Sequence, residues 1–287
     1  MSVAVVLGVA QDAGHPQAGC RRPCCERARA APGLAHLPCA LGLVSGATGE
    51  RWLIDATPAL PAQLACLADV DPARTDAGLD GVLLTHAHMG HYTGLIHLGQ
   101  EAAHLRRVPV WAMPRMRALL EDSAPWEQLV RQGNIVLRDL AAGEPVQLAP
   151  DLSVTPVLVP HRDEYSETVA FRVTGPRHRV LWLPDIDDWD PWHLSLDQVL
   201  QDVDVAWLDG TFFDDSELPQ RDLSAIRHPR IADTLSRLSH LPQAVRSKVR
   251  FVHLNHSNPA LWPDSDASRR IEAAGCRVAC EGARVAL

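Results

Sequence analysis

The sequence predicts an α/β protein, a four-layered αββα sandwich in which two mixed sheets carry helices on their outer faces. Short apolar runs form hairpins, as at 41–45 and 51–55, whereas other strands alternate with helical segments. This combination favours two mixed sheets over a doubly wound parallel sheet. A dinucleotide-binding fold is also disfavoured, because residues 8–14 after the first strand lack the pattern G-x-G-x-x-G.

The elements follow in order from the apolar runs and the turn residues between them. A Val- and Leu-rich strand at 2–8 precedes a polar loop at 11–23, and the hairpin is followed by a helix at 58–67. A strand at 80–84 leads into a His-rich turn and helical spacing at 95–104. The other predicted strands lie at 108–112, 135–137, 152–159, 168–173, 179–183, 203–208, 249–254 and 277–280, and the other helices at 114–120, 228–238 and 267–274.

Composition indicates one packed globular protein. Of the 287 residues 46% are apolar and 22% charged, and no repeat or low-complexity linker divides the chain, so we predict a single domain over 1–287 with a Cys-rich loop at 19–25. The net charge of −8 and the scattered basic residues argue against a nucleic-acid partner. No apolar stretch approaches the ~20 residues that span a membrane, and no basic leader is present. We therefore expect a cytoplasmic protein without a membrane partner; its oligomeric state stays open.

Three histidines at fixed spacing directly follow the strand at 80–84. In His86-x-His88-x-x-His91, residues 86 and 88 of an extended segment point to one side, and a helix that begins near 91 turns a third imidazole toward them. Imidazole is the commonest zinc ligand and also binds iron. The motif predicts a metal site; the alternative is three solvated histidines in a loop.

Three more polar residues end apolar strands further along the chain. They are His161 after 152–160, Asp185 after 180–184 and His253 after 250–252. Each alone is typical of a capping residue or of the edge of a core. Together with the three histidines they supply a carboxylate and two further imidazoles.

The sequence resembles the metallo-β-lactamase fold superfamily, whose signature is H-x-H-x-D-H, then a later His, a bridging Asp and a final His. The matching residues, in order, are His86, His88, His91, His161, Asp185 and His253. The resemblance implies that these six bind one or two zinc ions, with iron possible, in the αββα fold. Gly90 departs from the signature, which has at this position an Asp that binds the second metal.

Within the superfamily the chain resembles most the family of pyrroloquinoline quinone (PQQ) biosynthesis protein B, nearly end to end. The shared motifs are G-E-R-W at 49–52, D-A-T-P at 55–58, L-D-G-T-F at 208–212 with D-D-S-E at 214–217, and V-H-L-N-H-S-N-P at 252–259. A weaker resemblance to phosphoribosyl cyclic phosphodiesterases rests on the Cys-rich loop, the pair Pro38-Cys39, and the pair His253 and His256.

The loop G-C-R-R-P-C-C at 19–25 resembles the C-x-C-x-x-C zinc loop of both families, with Cys20 and Cys25 at the outer positions and Arg22 at the middle one. The resemblance implies a structural zinc on Cys20, Cys24, Cys25 and His256, a closed set of four ligands. Adjacent cysteines share an ion with difficulty, so a loop of free thiols is the alternative. We expect the other four cysteines to be small buried residues.

If the ligands converge, the resemblance implies two sites. His86, His88 and His161 would form a three-imidazole centre that activates water. His91, His253 and the bridging Asp185 would form the second. Because residue 90 is glycine, this second set resembles the facial triad of non-haem iron oxygenases.

The first functional hypothesis is a hydrolase in which a metal-bound hydroxide attacks an ester, amide or phosphodiester, with Asp185 as the bridging ligand and Tyr165 or the second metal stabilising the oxyanion. The alternatives are an iron-dependent hydroxylase in PQQ biosynthesis and a non-catalytic carrier of a quinone or its precursor.

The expected partner is a small-molecule or small peptide-derived substrate. Candidate cleft residues are His15, Gln17, Arg162, Tyr165, Asp209 and Thr211, and candidates for a local positive field are Arg21, Arg22 and Arg162.

Overall fold

Two seven-stranded sheets form the centre of the protein, in a computed structural model that describes residues 1–70, 74, 78–217 and 226–287. The first sheet contains, in order, β1 (Val3–Gly8), β2 (Ala40–Val44), β3 (Arg51–Ile54), β4 (Gly81–Leu83), β5 (Val108–Ala112) and β6 (Ile135–Asp139), with β14 (Arg284–Ala286) beside β1. The second contains, in order, β7 (Val146–Ala149), β8 (Leu152–Leu158), β9 (Val169–Thr174), β10 (Arg179–Leu183), β11 (Val205–Asp209), β12 (Val249–Val252) and β13 (Arg277–Val278).

The helices cover the outer faces and the sheet ends. They are α1 (Pro23–Ala30), α2 (Leu60–Ala68), α3 (Met89–Tyr92), α4 (Pro114–Asp122), α5 (Trp126–Arg131), α6 (Leu196–Asp202), α7 (Ile231–Leu238), α8 (Gln243–Arg246) and α9 (Asp266–Ala273). None of the helices in the described part of the chain is long and apolar enough to cross a membrane.

Both sheets are mixed, as predicted. In the first, β1 to β3 are antiparallel and β3 to β6 are parallel; in the second, β7 to β10 are antiparallel and β10 to β13 are parallel. It follows that β1, β3 and β4 share one direction in their sheet, and β8, β10, β11 and β12 share one direction in theirs. Residues that follow these strands therefore come together at one edge of each sheet.

The core has three apolar layers, one between the sheets and one under each set of helices. Alternate residues of a strand face different layers: in β10, Val180 and Trp182 face the first sheet, whereas Leu181 and Leu183 face the helices. Because both faces of β10 are buried, residues 180–183 form a continuous apolar run without polar alternation. The predicted αββα fold class is confirmed.

The predicted helix at 95–104 is wrong. The chain forms only a 3₁₀ segment, Thr93–Leu98, and then a series of turns. His104 and Arg107 have φ angles of 50° and 53°, which an α-helix excludes. The sequence prediction also missed the short or edge elements α1, α5, α6, α8, β7 and β14, whose periodic patterns are too brief to recognise.

Gly94 brings the segment after the His-rich turn against the end of β3. Its amide donates to the carbonyl of Ala56 at 2.9 Å. A Cβ at this position would lie 2.0 Å from the carbonyl oxygen of Thr57, closer than any real contact. Only glycine therefore allows this approach between the two backbones.

We expect Gly94→Ala to destabilise the fold by about 2 kcal/mol or more, because backbone atoms must move to admit the methyl group. Urea unfolding measures the difference. The control is Gly33→Ala, since no atom lies within 4 Å of the Cβ that it adds. Equal stability of the two variants would show that the contact at Gly94 does not constrain the fold.

Candidate metal centre

At one edge of the sandwich, polar side chains lie at or after the ends of seven strands. In the first sheet, residues after β1, β3 and β4 reach this edge; in the second, residues after β8, β10, β11 and β12 do. The residues concerned are Asp12, Asp55, His86, His161, Asp185, Asp209 at the last position of β11, and His253. Because these strands share one direction within each sheet, side chains that are far apart in sequence lie together at this edge.

Four of the six predicted ligands form one group. Ligand atoms of His86, His88, His161 and Asp185 all lie within 4.8 Å of one another. Nε2 of His161 is 3.3 Å from Nδ1 of His88, and Nε2 of His86 is 3.5 Å from Oδ2 of Asp185. The group can therefore surround one cation with three imidazoles and a carboxylate.

The other two predicted ligands, His91 and His253, lie on the far side of the same carboxylate. Oδ2 of Asp185 is 3.1 Å from Nε2 of His91 and 3.3 Å from Nε2 of His253. Asp12, which the sequence analysis missed, joins them: ligand atoms of Asp12, His91 and His253 lie within 4.8 Å of one another. Asp185 thus stands between two groups of potential ligands.

Each of the imidazoles at positions 86, 91, 161 and 253 is oriented through its other ring nitrogen. That nitrogen bonds a carboxylate or a hydroxyl group, which leaves Nε2 directed at the centre, the arrangement typical of metal-binding histidines. The pairs are His86 with Thr85 at 2.9 Å, His91 with Asp55 at 2.8 Å, His161 with Asp187 at 2.9 Å and His253 with Thr211 at 3.0 Å.

Two buried aspartates hold these orienting groups. Asp55, at φ 70° directly after β3, accepts hydrogen bonds from the Thr85 amide and hydroxyl at 2.9 Å and from His91. Asp209 accepts from the Thr211 amide at 2.9 Å and from its hydroxyl at 2.8 Å. The same His–Thr–Asp chain therefore occurs once in each sheet. Asp209 and Thr211 are fully buried, so they position imidazoles instead of lining a cleft as predicted.

The donor atoms at the centre fit a bound cation. Among the described residues, Nε2 of His86, Nε2 of His91 and both carboxylate oxygens of Asp185 are buried without a hydrogen-bond partner. A buried polar atom left in this state costs about 1–3 kcal/mol. Zn²⁺ takes nitrogen and carboxylate ligands of this kind, so the residues present suit a zinc ion.

The protonation states of His86, His88 and Asp185 agree with metal binding. Burial lowers the pKa of His91, but the carboxylates around it, Asp55 foremost, outweigh burial and raise that pKa well above its ordinary value, so a metal at its Nε2 would displace a proton. Burial lowers the pKa of His88 to about 4 and that of His86 well below its ordinary value, so both imidazoles are neutral at pH 7, the form that binds metals. Burial opposes ionisation of Asp185, yet the imidazoles of His253 and His161 hold the pKa of its carboxyl well below the usual range. The bridging group is therefore an anion.

His228 is a second residue that the sequence analysis missed. Its Nδ1 bonds Asp209 at 2.8 Å and lies 3.6 Å from Asp185, and its ring centroid is 5.5 Å from that of His161. Burial lowers the pKa of His228, but the Asp209 carboxylate outweighs it and raises the pKa to about 9. His228 lies just before α7 and, within the described residues, does not directly follow a strand, so the strand-end signal does not apply to it. Asp12, by contrast, follows β1 much as Asp185 follows β10.

Tyr165 is 70% exposed, in the loop between β8 and β9. Within the described part of the chain, no hydrogen bond links it to the histidines. The predicted field residues Arg21 and Arg162 pair with surface carboxylates, at 3.1 Å to Glu26 and 2.8 Å to Glu164. The role of Tyr165 at an oxyanion stays a prediction.

A polar cleft opens beside His228. It has a volume of about 560 Å³ and continues into a second of about 510 Å³. Asp187, His228 and Arg230 line both, and two further arginines in the walls are paired with aspartates: Arg237 with Asp190, and Arg227 with Asp187 at 3.9 Å. The cleft therefore carries both signs of charge.

The four residues predicted to hold a structural zinc lie together. Ligand atoms of Cys20, Cys24, Cys25 and His256 are within 4.8 Å of one another, and Nδ1 of His256 is 3.3 Å from Sγ of Cys25 and 3.7 Å from Sγ of Cys24. Pro23 begins α1, so the adjacent cysteines occupy its first turn. None of the seven cysteines, all within the described residues, forms a disulfide bond. The expectation that the four cysteines outside this loop are buried is wrong for Cys66 and Cys280, which are exposed.

Glu217 lies between this loop and the segment after β11. Its carboxylate accepts from the Phe213 amide and from the Ser257 hydroxyl at 3.0 Å, and its carbonyl accepts from Arg22 at 3.2 Å. Burial raises the pKa of the Glu217 carboxyl to about 7. This group is therefore half protonated near neutral pH.

Comparisons with known proteins agree with this architecture. A family model described as a beta-lactamase superfamily domain matches residues 50–257. Coenzyme PQQ synthesis protein B of Xanthomonas campestris pv. campestris is 26% identical, with 99% of each chain covered. The Zn²⁺-bound PqqB structure from Methylobacterium extorquens superposes with a TM-score of 0.81 at 24% identity, covering 100% of both chains. A diphosphatase of the PhnP family superposes with 0.68 at 19% identity, covering 99% of this chain and 96% of its own. These matches confirm the predicted resemblances and the fold.

We expect Asp55→Asn to weaken zinc binding by about 10- to 100-fold. The amide keeps the shape of the side chain, but its NH₂ group cannot accept the His91 hydrogen bond, so the imidazole loses its orientation. Chelator competition measures the affinity, and the unfolding temperature of the metal-free protein shows whether the fold is affected. Asp139→Asn, at an exposed side chain, is the control. Unchanged affinity in Asp55→Asn would exclude this orienting role.

The contribution of Glu217 to stability is expected to fall as the pH rises toward and through 7. Its folded pKa of about 7 exceeds the value of 4.5 for a free glutamate, so its contribution is complete below about pH 4.5 and is lost as the pH rises through 7. Glu217→Gln should reduce the loss between about pH 5 and pH 8 by on the order of 2 kcal/mol in urea unfolding. Glu144→Gln, at an exposed position, should behave as wild type. An identical pH profile for wild type and Glu217→Gln would contradict the assignment.

Proposed function

Because the chain belongs to the beta-lactamase superfamily, we propose that it is a metal-dependent hydrolase that acts on an ester, amide or phosphodiester. The observation that carries the proposal is the position of Asp185, a buried carboxylate shared between two groups of oriented imidazoles. Such an arrangement suits two zinc ions on either side of one bridging ligand. A cation held by three imidazoles supplies a hydroxide nucleophile near neutral pH.

The proposed ligands fall into two sets according to their position. His86, His88 and His161 would hold one ion, His91 and His253 the other, and Asp185 would contact both. Asp55 and Asp209 would fix the imidazoles through the threonine hydroxyl groups. This rigidity keeps the ligand atoms in place and limits reorganisation during the reaction.

His228 is the group best placed to act on the substrate. It carries a proton at neutral pH because its pKa is raised to about 9, and it lies between the imidazole of His161 and the cleft. We propose that it stabilises the developing oxyanion or protonates the leaving group. Tyr165, in its exposed loop, could approach the same substrate from solvent.

The cleft suits a small-molecule or small peptide-derived substrate. About 560 Å³ lies within the range of small-ligand pockets. The arginines of its walls already pair with aspartates, so a strongly anionic ligand would compete with these pairs. We propose a substrate with modest net charge or with groups of both signs.

A second candidate is an iron-dependent hydroxylase in PQQ biosynthesis. Its support is the similarity to proteins named Coenzyme PQQ synthesis protein B over 99% of the chain. The Zn²⁺ of the Methylobacterium extorquens PqqB structure favours zinc over iron for this fold. A carrier of a quinone or its precursor is the third candidate, although oriented imidazoles are unnecessary for that role.

Elemental analysis of protein purified without oxygen tests the proposal, with wild type compared to His88→Ala and Cys20→Ala. We expect zinc in the wild type, loss of active-site zinc in His88→Ala, and loss of a single zinc from the Cys loop in Cys20→Ala. Hydrolysis of p-nitrophenyl esters and bis-p-nitrophenyl phosphate should fall to background in His88→Ala and persist in Cys20→Ala.

The alternatives predict different results. Iron with O₂ consumption would favour the hydroxylase, and a metal-free active site would favour the carrier. Unchanged metal content in His88→Ala would remove the basis of both enzyme proposals.

A further inference from the structure

Asp12 fills the space in which a side chain at position 90 would lie. Gly90 is buried in α3, between the ligands His88 and His91. A Cβ at position 90 would lie 2.4 Å from Cβ and 2.5 Å from Cα and Cγ of Asp12. Because one of these atoms belongs to the backbone, no rotation of the Asp12 side chain would make room. Asp12 therefore stands where a side chain of residue 90 would begin.

The loop after β1 is held in this place by backbone bonds to the segment after β12, which contains His253. The Gln11 amide donates to Leu254 at 2.8 Å, and the Leu254 amide donates to Val9 at 2.8 Å. Ala10 and Leu254 form a parallel bridge. The position of Asp12 relative to His253 is thus set by main-chain pairing.

Asp12 and Asp185 are placed alike around the same two imidazoles. Nε2 of His91 is 3.1 Å from Oδ1 of Asp12 and 3.1 Å from Oδ2 of Asp185. Nε2 of His253 is 3.3 Å from each of the same two oxygens. Four donor atoms therefore enclose a second position with two imidazoles and two carboxylates.

We infer that Asp12 is the fourth ligand of the second metal, supplying from the β1 loop the carboxylate that Gly90 omits from the histidine motif. The inference rests on the proposed metal-dependent function and specifies the composition of its second site. The site is then a two-histidine, two-carboxylate zinc position and differs from the open triad of an iron oxygenase.

The test removes the Asp12 carboxylate or places a side chain at position 90, and measures zinc stoichiometry and affinity by elemental analysis and chelator competition. Asp12→Asn keeps the volume but removes the charge, so one zinc per chain should be lost or bound at least about 10-fold more weakly. Gly90→Asp should disrupt the site because it overlaps Asp12.

Controls separate this inference from the function itself. Gly33→Asp adds a carboxylate at an open position, and Asp139→Asn removes an exposed one; both should bind zinc as wild type does. If Asp12→Asn retains full zinc affinity, the inference is overturned while the loss of zinc in His88→Ala still supports the hydrolase. Wild type without active-site zinc would overturn the proposed function as well.

Discussion

A buried carboxylate among buried imidazoles is the constraint on which the rest of the site depends. Asp185 contacts His86, His91 and His253 at 3.1–3.5 Å, and neither of its oxygens has a hydrogen-bond partner within the described residues. Lone pairs brought together out of water repel one another and are costly unless a cation lies among them. The aspartates and threonines behind the imidazoles stabilise this arrangement, because they hold each ring with its other nitrogen toward the centre.

The sandwich supplies the rigidity that such a cluster requires. Three apolar layers fix the strands, and the ligands follow the strands within one or a few residues. Two of these junctions adopt the left-handed region in residues other than glycine, Asp55 at φ 70° and His253 at φ 61°. Each costs on the order of 1–3 kcal/mol, a strain that the surrounding packing must offset. In return, the backbone turns sharply enough to direct both side chains at the cluster.

The relation between Asp12 and Gly90 shows that the set of potential ligands depends on which side chains fit into the space around the site. In the histidine motif, glycine at position 90 indicates a missing carboxylate. In the folded chain, the absence of a side chain at residue 90 is what admits Asp12 from a loop 78 positions earlier in the printed sequence. This replacement restores a second carboxylate beside Asp185. It also weakens the argument for oxygenase chemistry, which depended on an incomplete second site.

The sequence by itself determined the fold class, the six candidate ligands and the Cys-rich cluster, because apolar runs and strand-end residues are local signals that survive without coordinates. The strand-end signal that indicated Asp185 also applies to Asp12, which follows β1, but no local signal marks His228 as a member of the site. Nor could the sequence separate Asp209 and Thr211, which orient imidazoles, from residues that face a substrate. The tertiary structure decided these points, because strand direction and the backbone pairing between the segments that follow β1 and β12 set which side chains share a volume. Proximity between residues distant in the chain is a property of packing, and no periodicity encodes it.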